Sequence, residues 1–167
     1  MSYRGPLLAL AVLGMGLVSL LQSVVGPQIS LLGVRPDLIL VIVLAWTLVF
    51  GPREGVVMAF AGGIWLDLFS GGLMGASSLA LIAAVLPAGS GYTTLFRTHL
   101  AVPLATGIIG TLTFSLVYLG ILFLVGQGGL FLLTMTRLIP PAIFYNTALI
   151  LAISPMLNRI PEARGVG

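Results

Sequence analysis

Asp67 is the residue in this sequence with the most capacity for chemistry, an acid set in the stretch G-G-I-W-L-D-L-F-S-G-G. A carboxylate inside a helix that crosses hydrocarbon costs about 3 kcal/mol or more unless it is paired or hydrated, so a partner is expected for it. Work as a general acid or base would need a second positioned group, and none stands at a clear spacing from it. His99 is the single histidine, beside Arg97 and Thr98, with no second histidine or carboxylate at metal-ligand spacing. The absence of cysteine excludes disulfides, thiolate ligands and a cysteine nucleophile. No G-x-x-x-x-G-K-[ST] loop, H-E-x-x-H helix or G-x-S-x-G elbow occurs. The chain is therefore expected to be no enzyme and to hold no cofactor or metal.

The elements that must position these residues follow from composition. Of the 167 residues 59% are hydrophobic and 7% charged, against roughly 25% charged in an ordinary soluble domain, so lipid has to be the solvent for most of this surface. The net charge of +3 comes from arginines scattered singly, without a basic stripe or aromatic platform, so nucleic acid is excluded as a partner. The arginines report topology instead. Residues 1–25 have the basic start and apolar run of a signal peptide, but no A-x-A-like cleavage site follows, so they are read as a first spanning helix.

About 20 apolar residues cross roughly 30 Å of hydrocarbon, and shorter runs are tolerated inside a bundle. Six segments qualify, at residues 6–25, 36–50, 54–69, 75–91, 100–125 and 130–157, and the breaks between them carry glycine and proline turn chemistry. The chain is thus expected to be an all-α polytopic membrane protein with six transmembrane helices in a single domain over 1–167. With the N-terminus inside, Arg4, Arg53, Arg97, Arg159 and Arg164 fall on the cytoplasmic side and Arg35 and Arg137 on the outer side, which puts both termini in the cytoplasm.

Lipid tails give helices no hydrophobic reason to associate, so small residues and interhelical polar contacts must hold them. Gly55, Ala59, Gly63, Asp67 and Gly71 recur every four residues along the third span, and Ala76, Ala80, Ala84 and Ala88 along the fourth. The fifth span carries Gly107, Thr111 and Ser115. The stripes are expected either to pack the bundle or to receive a partner helix. Asp67 near the outer end of its span and Arg137 near the outer end of the sixth are expected to pair in a polar cluster joined by Arg35 and Asp37. Asp37 after Pro36 also fits a helix N-terminus, where the dipole favours an acid. Pro140-Pro141 is expected to kink the sixth span, and Asn146 near mid-membrane needs a partner. Trp46 and Trp65 are expected to face lipid or fill the core.

Three motifs carry a resemblance: Pro36-Asp37-Leu38, then Gly51-Pro52-Arg53-Glu54-Gly55, and the longer Gly62-Gly63-Ile64-Trp65-Leu66-Asp67-Leu68-Phe69-Ser70-Gly71-Gly72-Leu73-Met74-Gly75. With them the chain resembles the rod shape-determining protein MreD family of bacteria. The resemblance implies a non-catalytic subunit of the cell-elongation machinery in the cytoplasmic membrane. Its implied partners are MreC directly, with MreB, RodA and a class B penicillin-binding protein in the wider complex. The family also looks like the substrate-binding S components of energy-coupling-factor vitamin transporters, which supplies a second reading, a small-molecule transporter subunit. The A-x-x-x-A pattern that docks those components in their first span is missing, since Ala9 and Ala11 are not so spaced. A third class, an intramembrane lipid-processing enzyme, would need Asp67 to titrate in catalysis.

Overall fold

The computed structural model describes residues 4–26, 28, 34–90, 100–129 and 131–157, and every element of secondary structure in them is helical. Arg97, Thr98, His99, Arg159, Glu162 and Arg164 lie outside the described residues, as does the side chain of Arg4.

Helix α2 (Leu38–Phe50) organises the rest. Its 13 residues include no charge and one hydroxyl, Thr47, so no face prefers water. At 1.5 Å per residue it is about 20 Å long, shorter than the roughly 30 Å hydrocarbon slab, and cannot cross unaided. The structure sheathes it. Helix α1 (Arg4–Val25) packs on α3 (Pro52–Ser70), α3 on α4 (Ala76–Ser90), α4 on α5 (Ala101–Leu124), and α5 on α7 (Ile139–Leu157), while α2 touches all five. Ile39, Leu40, Val43 and Leu44 are fully buried against Met15, Met58, Leu81 and Ile150.

The sheathing helices are apolar on the side that faces away from α2. Leu10, Leu13 and Leu17 of α1, Leu104, Ile108 and Leu112 of α5, and Phe144 of α7 are exposed. Only 17% of the apolar windows of α1 and α5 is buried. A protein in water cannot present so continuous an apolar surface, whereas in lipid that surface needs no cover. Three helical runs are long and apolar enough to cross a membrane by length and composition: Leu8–Val25, Ala101–Leu124 and Phe131–Met156. Helices α2 and α4 are apolar but shorter, and α3 carries Arg53, Glu54 and Asp67.

The last apolar run differs from a plain kinked helix. It begins as α6 (Phe131–Leu133), widens into one π-helical segment (Thr134–Leu138), and continues without a break into α7. The Ile139 N–H reaches back five residues to the Thr134 carbonyl. Pro140 and Pro141 explain the widening, because they lack N–H donors and their rings press on the carbonyls one turn earlier, which favours a wider turn there.

Candidate functional site

At one end of the bundle two polar knots and a cavity lie together. The first knot is built on Asp67. The carboxylate is buried, and the Gly75 N–H donates to its Oδ2 at 2.7 Å while the Ser77 N–H lies 3.3 Å from both oxygens. These donors open α4, so the acid of one helix caps the next, eight and ten residues on. Capping there meets orphan N–H groups and the positive end of the α4 dipole. The turn between is shaped by Gly71 (φ 66°) and Gly75 (φ 90°), conformations that a Cβ disfavours. The sequence D-x-x-S-G-G-x-x-G is thus one device: an acid, two left-handed hinges and a capped helix. It draws the helices so close that a Cβ at Gly63 would fall on the Ser78 backbone, while the Ser78 hydroxyl donates to the Phe60 carbonyl at 3.0 Å.

The second knot surrounds the start of α2. Asp37 is its N-cap, accepting from the Leu40 N–H at 3.1 Å and from Gln22 Nε2 at 3.3 Å. Gln22 Oε1 in turn accepts from the Ile39 N–H at 3.2 Å. The Asp37 N–H donates to Asn146 Oδ1 at 3.1 Å, and Asn146 Nδ2 faces Thr111 Oγ1 at 3.5 Å. Four helices therefore meet through side-chain amides and a carboxylate, and Asn146 and Thr111 are buried. In a low-dielectric interior each of these groups is costly if unpaired, so the network holds α1, α2, α5 and α7 in one register.

The expected pair between Asp67 and Arg137 is not formed. Backbone N–H groups occupy the carboxylate, and Arg137 stands exposed on the π-helical segment without an ion pair among the described residues. An anion eight residues before a helix N-terminus finds donors locally and needs no arginine from another helix. Asp37 likewise serves its own helix, and Arg35 is exposed beside it. The two acids do gather at one end, since Tyr118 lies within electrostatic range of both.

The stripes are occupied within the chain. Gly55 meets Thr47, Gly63 meets Ser78, and Ala59, Ala76, Ala80 and Ala84 are buried. A partner helix has no access to those faces while the bundle is closed, so they act as packing surfaces. Gly107 against Thr147 does the same between α5 and α7. Trp46 is buried beside Phe50, and Trp65 covers Gly16 of α1.

Between α5, the π-helical segment and the approach to α2 lies a cavity of about 540 Å³, with Arg35, Ser115, Tyr118, Thr134 and Ala142 on its wall. Its remaining lining is aliphatic and aromatic. Gln22, Tyr118 and Thr134 were not singled out from sequence, and Thr111 and Ser115 were read only as part of the fifth-span stripe; an amide at position 22 of a largely apolar helix was the available signal. Among the described residues no group of His, Cys, Asp or Glu could hold a metal ion.

Set against known proteins, the sequence matches the family profile described as rod shape-determining protein MreD over residues 5–160. The chain belongs to the MreD family. No curated protein and no solved structure matches it. Membership gives the chain a role in rod shape determination. All three motifs of the resemblance have structural work within this family member: Asp37 caps α2, Gly51-Pro52 turns α2 into α3 with Pro52 at the helix start, and Asp67 to Gly75 forms the capped turn.

Proposed function

We propose that this MreD-family chain is a non-catalytic, multi-pass scaffold of the bacterial cytoplasmic membrane that binds MreC and supports lateral peptidoglycan synthesis in the rod complex. In this reading the six apolar segments all span, with α2 and α4 completed by their neighbours, and both termini are cytoplasmic. MreB, RodA and a class B penicillin-binding protein are then indirect or neighbouring partners. The observation that carries the proposal is the family match over nearly the whole chain, on a bundle whose outer surface is apolar. The Asp67 carboxylate and the Asn146 amide that reach the interior are taken up in capping and packing, as suits a scaffold.

The test is depletion with complementation. Cells lacking the chain should round up, and tagged chain should co-purify with MreC from detergent extracts. Rod-shaped growth after depletion, with no MreC recovered, would refute the proposal. The cavity favours a second reading, a substrate-binding subunit resembling the S components of energy-coupling-factor transporters. That reading predicts tight binding of one small water-soluble molecule, and equilibrium dialysis against a vitamin panel separates the two.

A further inference from the structure

The wall of the cavity gathers an arginine and three hydroxyls into an otherwise apolar lining. Five hydroxyls in these helices fold back on the preceding turn: Ser23 on Ser19, Thr47 on Val43, Thr113 on Ile109, Thr136 on Leu132 and Ser154 on Ile150, at 2.6–2.9 Å, whereas Ser19 and Thr147 are buried in the packing without a partner among the described residues. Ser115, Tyr118 and Thr134 make no side-chain hydrogen bond among the described residues, and all three line the same cavity. Thr134 belongs to the π-helical segment, a feature that often marks a binding site because it opens the helix wall. Arg35 lines the same cavity, exposed and without an ion pair among the described residues. Neither nearby acid forms an ion pair with it, since Asp37 accepts from Gln22 and Leu40 and Asp67 from Gly75 and Ser77.

We infer that this cavity is a specific site for one anionic phospholipid, with a phosphate at Arg35, glycerol ester oxygens at the unpartnered hydroxyls, and an acyl chain along the aliphatic wall of α5 and α7. Chemistry of the lining decides the class of ligand: among the described residues Arg35 is its one cation, Ser115, Tyr118 and Thr134 add hydroxyls, and the remaining wall is apolar. Those three kinds of group match headgroup, ester and chain. The volume of about 540 Å³ lies within the roughly 300–1,000 Å³ of sites that enclose a small molecule, and the opening lets the rest of the lipid lie outside. A basic group between membrane helices recognises an anionic headgroup by the same electrostatics. The inference rests on the chain being embedded in a bilayer and is independent of MreC.

The test uses full-length chain purified in detergent and titrated with phosphatidylglycerol or phosphatidylcholine under native mass spectrometry. One phosphatidylglycerol should be retained per chain in preference to phosphatidylcholine. Arg35→Gln should weaken retention of phosphatidylglycerol about fivefold and remove the preference, while Arg53→Gln, at an exposed arginine in the first turn of α3, leaves both unchanged. Ala142→Phe should fill the cavity and abolish retention with the helical circular dichroism signal intact, and Ser115→Leu provides a second filling variant should the first not fold. Equal retention of the two lipids, or a preference that survives Arg35→Gln and either filling variant, overturns the inference. So does crosslinking that finds a partner helix in the cavity with the lipid displaced. A chain that purifies without detergent refutes the membrane reading itself, which separates the two failures.

Discussion

Replacing Asp67 tests whether this acid is a helix cap or half of an ion pair. In the structure Asp67→Ala removes a charge-assisted hydrogen bond of 2.7 Å to the Gly75 N–H and the shared contact to Ser77, leaving two N–H groups at a buried helix start. Hydrogen bonds to charged groups contribute about 1.5–3 kcal/mol, and loss of a cap costs about 0.5–2 kcal/mol for overlapping reasons. Relief from burying the carboxylate offsets part of this, so a net loss of about 2 kcal/mol is expected. For a chain of this size that is a fall of roughly 4–8 °C in Tm. Asp67→Asn keeps one acceptor and the shape, and should lose about half as much. Arg137→Gln removes an exposed side chain without an ion pair and should change stability by less than about 0.5 kcal/mol. The assay is thermal unfolding of detergent-purified protein across the double-mutant cycle of Asp67→Ala with Arg137→Gln. Distant, uncoupled sites add to within about 0.3–0.5 kcal/mol. A coupling energy above about 1 kcal/mol would falsify the capping account and restore the ion pair.

Other substitutions probe the packing and the sidedness. Gly63→Ala should cost at least about 2 kcal/mol and sharply lower folded yield, because its Cβ meets the Ser78 backbone, whereas Gly62→Ala meets only the mobile end of Met15 and a methyl of Ile39 and should cost about 1 kcal/mol; equal yields on size-exclusion chromatography would contradict this. Asn146→Leu strands the Asp37 N–H and should destabilise by about 1–3 kcal/mol, read as a lower unfolding temperature, with Asn146→Gln recovering less than half of it. Because the chain has no cysteine, single-cysteine variants at Arg53 and Arg35 report sidedness directly: an impermeant maleimide added to intact spheroplasts should label position 35 and spare position 53, and the reverse pattern would invert the topology.

Several features of the fold were legible because they depend on local chemistry. Asp37 after Pro36 reads as a helix start, Gly51-Pro52 as a tight turn, and the small-residue periods of the third and fourth segments as close-packing surfaces, since each follows from backbone geometry within one or two turns. The π-helical widening was foreshadowed by Pro140-Pro141 only as a disturbance, because which hydrogen-bond register absorbs two missing donors depends on what the helix packs against. Asp67 shows the same division. Its cost in hydrocarbon is evident from position alone, but several donors lay within reach, and an arginine on another helix looked as suitable as the N–H groups of the next turn.

The sequence by itself determined the medium, an all-helical architecture, the absence of cysteine chemistry, and where the chain must turn, because these follow from composition and nearest neighbours along the chain. Only the tertiary structure decided that α2 is the sheathed core helix, that Gln22, Asp37, Thr111 and Asn146 form one network, and that the hydroxyls of Ser115, Tyr118 and Thr134 share a cavity with Arg35. In a chain whose helices are nearly all apolar, hydrophobic pattern no longer distinguishes inside from outside. Which few polar groups meet is then settled by the packing of helices far apart in sequence.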